Sequence, residues 1–198
     1  MRTLTRRAAA LVLVSTLSLA GCGSSDGDGG SDGGSGSDDT ATSKTDVAPA
    51  AGDTISAEAF EFSVPDGWKD SKSAMPTALA VAADSTDDDG FSDNVNVLGD
   101  NTIAGLDTAE VEEAAEKVLK DFKATDIKVK DPIEVAGEES AHIGAIFEQN
   151  GIKYRTEQYA LSHDDKGYVI TFSYSETLPE ADRDKVSESI LASWKWTS

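Results

Sequence analysis

Apolar and polar side chains alternate with period two over residues 59–64, where Phe60, Phe62 and Val64 interleave with Glu61 and Ser63. That is the pattern of a strand with one buried face. Pro65-Asp66-Gly67 turns the chain before Trp68, and two further short strands follow at residues 79–83 and 94–98, separated by the acidic loop 84–93. The period then changes to that of a helix. Asp107 with Glu110 three residues later is a capping signature, and Val111, Ala115, Val118, Leu119 and Phe122 recur at helical spacing, which predicts a helix over 108–122.

Beyond it the strand pattern returns. Residues 127–135 read as a strand interrupted by Pro132, which cannot donate to a ladder and marks a sheet edge or a bulge. Residues 140–148 and 153–162 flank Asn150-Gly151, the strongest short hairpin signal in the chain, and the turn 164–167 precedes a strand at 168–175. This last strand sends Tyr168, Ile170, Phe172 and Tyr174 to one face, so a large aromatic layer needs a cover. A second helix beginning at Pro179, with Val186, Ile190, Leu191 and Trp194 on one stripe, supplies it. Three strands, a helix, four antiparallel strands and a helix make an α+β domain over residues 54–198.

The first 53 residues have neither pattern. A cationic start (Arg2, Arg6, Arg7) leads into an apolar run over 8–20 that is shorter than the ~20 residues needed to span a bilayer. It ends in Leu19-Ala20-Gly21-Cys22, which resembles the bacterial lipobox at all four positions. The resemblance implies a lipoprotein signal peptide over 1–21, lipidation of the Cys22 sulfur (palmitate among the acyl chains), and an anchor on the extracytoplasmic face of the cell membrane. Residues 22–53 then hold Gly, Ser, Asp and Thr with almost no apolar side chain, the composition of a disordered tether.

Composition narrows the function. The chain of 198 residues has 17 basic and 37 acidic side chains, a net charge of −20. Phosphate backbones would repel it, which argues against nucleic-acid binding. One Cys excludes an internal disulfide framework and any cysteine-clustered metal site.

Two segments carry a family resemblance. Phe62-Ser63-Val64-Pro65-Asp66-Gly67-Trp68 resembles the opening F-x-(V/I)-P-x-G-W strand of Mog1/PsbP-like domains, and Phe91-Ser92-Asp93-Asn94-Val95-Asn96-Val97 resembles their F-x-x-N-(V/I)-x-V strand. With the lipobox and tether, the chain is similar to actinobacterial lipoproteins of the LpqN type. The resemblance implies a three-layer α-β-α sandwich around an antiparallel sheet and an accessory or binding role with no catalytic motif or cofactor.

Candidate sites follow from side-chain chemistry. Thr156, Gln158, Thr171 and Ser173, with Tyr154 at the end, share the polar face of the late strands; either the helices leave a groove there or it is the wet side of the sheet. Ser162-His163-Asp164 holds three triad residue types side by side, an order that points them apart and reads as a polar turn. The acidic loop fails the EF-hand ligand pattern, with Ser85 at the first ligand position and Asn96 at the twelfth, and a zinc site would need His142 and His163 to converge. Trp68, Trp194 and Trp196 read as core and core-edge residues. The favoured function is a non-enzymatic, lipid-anchored module that binds an envelope protein or ligand. Alternatives are a carrier of a small apolar, lipid-like ligand in a cavity lined by residues such as Phe172, Ile143 and Val118, and a hydrolase of unfamiliar type.

Overall fold

The computed structural model describes residues 47–87 and 90–197. The expected signal peptide, Cys22 and nearly all of the tether therefore lie outside the described residues. Among these residues the strands form two sheets. The larger has seven, in the order β3 (Trp68–Asp70), β4 (Ala80–Asp84), β5 (Asn94–Gly99), β9 (Lys166–Ser175), β8 (Ile152–His163), β7 (Glu138–Gln149) and β6 (Thr125–Val135). All its neighbours pair antiparallel. The smaller has three: β2 (Phe60–Ser63) lies between β1 (Thr54–Ser56) and β10 (Lys195–Trp196). Two helices, α1 (Thr108–Asp121) and α2 (Glu180–Ala192), complete the α+β fold.

Local chemistry fixes the long hairpins. Asn150 and Gly151 have φ of 54° and 82°, and Ala136 and Gly137 have 50° and 92°. Positive φ at both central positions is what a two-residue turn needs to match the strand twist. The β8–β9 turn achieves the same with Asp164 and Asp165, at 48° and 60°, Asp being among the residues that tolerate this region. The sheet ends at β6, as Pro132 foretold on both counts. The strand is an edge, and its register shifts between Lys130 and Ile133. Bulges, a proline and Lys128, Lys130 and Asp131 discourage another chain from adding there.

Alternation along β9 separates two cores. Tyr168, Ile170, Phe172 and Tyr174 are all buried in the larger core, together with Tyr159, Ile190, Leu191 and Trp194. On the opposite face Val169 packs with Ala141, Ala160, Ile103 and Val111 of α1, and Leu119 packs with Ile143 and Ala145. The helices thus lie on opposite faces, giving three layers. The cover over the aromatic face differs from the expectation, however. Residues 59–64 do not lead the main sheet; β2 leaves it to build the small sheet, whose Phe60, Phe62 and Ile55 share that layer with α2. Phe60 stacks on Trp194 at 4.4 Å and meets Tyr168 edge-on at 5.9 Å.

The α1 capping box forms as expected. The Asp107 carboxylate accepts from the Glu110 amide at 2.9 Å, and Glu110 accepts from the Asp107 amide at 3.1 Å. Two residues of its apolar stripe are not buried: Val118 is 43% exposed and Phe122 48%. The helix turns the arc between Val111 and Leu119 to the sheet, so Val118 stands on its flank, and Phe122 is the C-cap residue beyond the last turn. On α2 the buried stripe holds Ile190 and Leu191 but also Arg183 and Ser187, with Val186 half-buried.

Candidate functional site

Register brings the expected polar residues together. Thr156 faces Ser173 and Gln158 faces Thr171 across β8 and β9, and β5 extends both rows, Asn94 opposite Ser173 and Asn96 opposite Thr171. The result is an uncharged array of three hydroxyls and three amides on the α1 side of the sheet, in a chain of net charge −20. Through Leu119, α1 packs on Ile143 and Ala145 of β7, and only Val111, near its start, reaches Ala160 and Val169. Gln158, Thr171 and Asn94 remain half-exposed, while Thr156, Ser173 and Asn96 are buried.

The buried members are weakly satisfied. Thr156 Oγ1 donates to the Ala145 carbonyl and Asn96 Nδ2 to the Thr171 carbonyl, both at a long 3.4 Å, and Ser173 Oγ has no hydrogen-bond partner. Tyr154 closes one end, its ring stacked between Phe91 at 5.6 Å and Phe147 at 5.7 Å, and burial pushes its phenol pKa up. Two depressions among the described residues lie elsewhere. One, of about 200 Å³, is lined by Phe60, Leu79, Lys166 and Tyr168, and the other, of about 260 Å³, by Leu106, Val111, Glu138 and Ser162. Both fall below the roughly 300 Å³ at which small-molecule sites begin. The lining suggested for a ligand cavity does not assemble either, since Phe172 and Ile143 point to opposite faces of the sheet and Val118 faces solvent.

Under α2 lies a second cluster, which the sequence reading missed. Glu157 is fully buried on the aromatic face. Its Oε2 receives His142 Nε2 at 3.1 Å and Lys130 Nζ at 3.2 Å, while Arg183 Nε approaches its Oε1 at 3.6 Å. Lys130 also reaches Glu180 at 3.0 Å and Asp184 at 3.6 Å. Room for the carboxylate comes from Gly144, its register partner, where a Cβ would stand 3.0 Å from Glu157 Oε2. Burial alone would raise the Glu157 pKa, but the hydrogen bond from His142 and the charge of Lys130 outweigh it and hold the group below the ordinary carboxylate range. Burial likewise pulls Lys130 down, and its three carboxylates prevail and raise it. Tyr159, against which His142 stacks at 4.2 Å, is pushed well up by burial and by Glu157. Period-two alternation could have revealed this group, because the strand that turns Thr156 and Gln158 outward must turn Glu157 inward beside Tyr159.

The remaining candidates are occupied in structural roles. Ser162 Oγ donates to the Ile103 carbonyl, and His163 pairs through Nδ1 with Glu138 at 2.8 Å and stacks on Trp196 at 4.0 Å. In the acidic loop, Asp84 accepts from the amide and hydroxyl of Thr86, and Asp93 accepts from the Ser175 amide; Asp88 and Asp89 lie outside the described residues. Among the described residues no group of three or more His, Cys, Asp or Glu is placed to hold a metal ion, and no helix is long and apolar enough to cross a membrane.

No protein-family model matches the chain, and no curated protein matches it. Solved structures of similar course include LpqN of Mycobacterium tuberculosis, described as involved in cell envelope biogenesis, with 12% identity over 72% of this chain and 86% of that one at a TM-score of 0.49. Cyanobacterial PsbP from Synechocystis shares 16% identity over 80% and 100% at 0.44. A protein from Bacteroides thetaiotaomicron shares 11% over 70% of this chain at 0.47, and this chain spans only 45% of its length. At these scores and identities the likenesses carry no conclusion about ligand or partner.

Proposed function

We propose that the protein is a non-enzymatic, lipid-anchored lipoprotein of the extracytoplasmic membrane face, a Mog1/PsbP-like module of the LpqN type that binds an envelope protein through the uncharged face of β5, β9 and β8. The observation that carries the anchoring is Leu19-Ala20-Gly21-Cys22 behind a cationic, apolar leader. For a tether of about 30 Gly/Ser-rich residues the typical end-to-end distance is ~30 Å, and its Asp residues stretch it further, which keeps the folded unit within reach of membrane proteins. The binding face is supported by its uncharged, half-exposed side chains, which a partner can cover without desolvating a charge.

Two measurements test this reading. Cys22→Ala should abolish incorporation of labelled palmitate and release the protein from membranes or leave it unprocessed; normal processing with full membrane retention would refute the anchor. Crosslinking of the anchored protein in envelopes should recover a protein partner that is lost with Gln158→Arg and Thr171→Arg. Partner recovery unaffected by both substitutions would place the contact on another surface.

A further inference from the structure

The second helix is attached in two different ways along its length. Its C-terminal half is tied by Ile190 and Leu191 in the larger core, by Ser193 Oγ, which accepts from the Ser63 amide at 2.8 Å, and by the Ser189 carbonyl, which accepts from the Ala50 amide at 2.8 Å. Its first half has one such tie, a long hydrogen bond from the Tyr174 hydroxyl to the Arg183 carbonyl at 3.3 Å. Over residues 180–185 the only apolar side chain is Ala181, which is exposed, and the N-cap Pro179 offers no side-chain bond. The rest of what holds this half down is charge: Glu180 and Asp184 on Lys130, and Arg183 over Glu157. The contact is also poorly closed. Glu157 Oε1, Arg183 Nε and Asp184 Oδ1 are all buried and all lack a hydrogen-bond partner, an arrangement that raises the free energy of the closed state.

We propose that residues 180–185 form an ionically latched flap over Glu157, centred on Lys130, which opens on acidification while the rest of α2 stays docked. The groups that face the latch are Lys130 from β6, His142 from β7, Glu157 and Tyr159 from β8, Tyr174 from β9, and Glu180, Arg183, Asp184 and Glu188 on α2 itself. Glu180 is held below its ordinary value of 4.5 by Lys130. A carboxylate with a depressed folded-state pKa contributes its stability above the unfolded value and loses it as pH falls through the depressed one. Glu180 and Lys130 therefore part only as pH falls through that depressed value, on the acid side of 4.5. Lys130, raised above 10.5, keeps its charge through the alkaline range, so the latch releases on the acid side only. His142 shares Glu157 Oε2 with Lys130. The Tyr174 hydroxyl, bonded to Ser187 Oγ at 2.7 Å and to the Arg183 carbonyl at 3.3 Å, marks the hinge end of the flap, and its bond to Arg183 breaks on opening. Opening exposes Glu157, His142 and Tyr159, which are closed from solvent in the latched state.

Amide hydrogen exchange on the full chain tests this, with rates converted to protection factors so that the intrinsic pH dependence is removed. The amides of residues 184–188, whose helical acceptors lie in the flap, should lose at least tenfold more protection between pH 7 and pH 3 than those of residues 190–192. Lys130→Met should reproduce that loss at pH 7, and Lys130→Arg should not. Glu180→Gln with Asp184→Asn, both on the outer side of the latch, gives the same reading should Lys130→Met fail to fold. Equal loss of protection in both halves of α2, or unchanged protection at 184–188 in Lys130→Met or the double variant, overturns the proposal.

Discussion

Trp194→Ala tests whether the small sheet and α2 are held to the large sheet by one indole. Trp194 is 4% exposed and stacked on Phe60 at 4.4 Å and Phe62 at 5.2 Å, with Trp196 edge-on at 5.7 Å. An aromatic side chain of this size buries roughly 150–250 Å², worth about 4–6 kcal/mol at ~25 cal/mol per Å². That is an upper figure, because the unfolded chain already hides part of the area. Partial collapse of Phe60 and Phe62 into the gap leaves an expected loss of about 3–5 kcal/mol. For a domain near 150 residues this lowers the melting temperature by roughly 10 °C. The indole Nε1 has no hydrogen-bond partner, so Trp194→Phe forfeits area and no hydrogen bond, and should cost less than half as much. Urea unfolding followed by far-UV circular dichroism measures both. A Trp194→Ala midpoint within error of wild type, or a Trp194→Phe loss equal to that of Ala, would refute the reasoning.

Gly167→Ala should abolish folding or cost several kcal/mol, since a Cβ there would stand 2.0 Å from the Asp100 carbonyl oxygen and 2.5 Å from Ile103 Cγ1; soluble expression and thermal melting check it. Glu157→Gln should lower stability at pH 7 by at least about 1.5 kcal/mol, the lower range for a hydrogen bond to a charged group. It should also flatten the acid limb of the stability profile, because wild-type Glu157, held below 4.5, contributes above that pH and loses its contribution as pH falls through the depressed value. Denaturant midpoints between pH 3 and 7 decide this, and an acid limb as steep as wild type would count against it.

Features set by neighbours in sequence were legible, and those set by distant contacts were not. The α1 start was readable because both partners of its capping box lie within four residues, and the β7–β8 hairpin because Asn150-Gly151 can adopt positive φ at little cost. The departure of β2 into a sheet of its own depends on Phe60 meeting Trp196, a pairing that alternation around residue 60 cannot announce. The two residues of β10 are too short for any periodicity. Helical spacing likewise named the apolar stripe of α1 without saying where the helix stops or how wide an arc the sheet covers, and Val118 and Phe122 stayed in solvent for that reason.

The two polar clusters show the same division within a single strand. Thr156 and Gln158 were recognised because hydroxyls and amides on a sheet face invite a binding reading, and register did make them neighbours of Ser173 and Thr171. Glu157 stands between them, and alternation alone assigns it to the aromatic side. A carboxylate there is costly unless cations converge on it, so its burial implies partners on other elements. Lys130 on a bulged edge strand, His142 beside a glycine that makes room, and Arg183 on a helix stripe otherwise read as apolar are those partners. Each looks ordinary where it stands in the sequence. The inward-facing glutamate is the one residue from which the cluster can be inferred before its members are seen together, and it is also the residue that ties the β6 edge and the first half of α2 to the centre of the sheet.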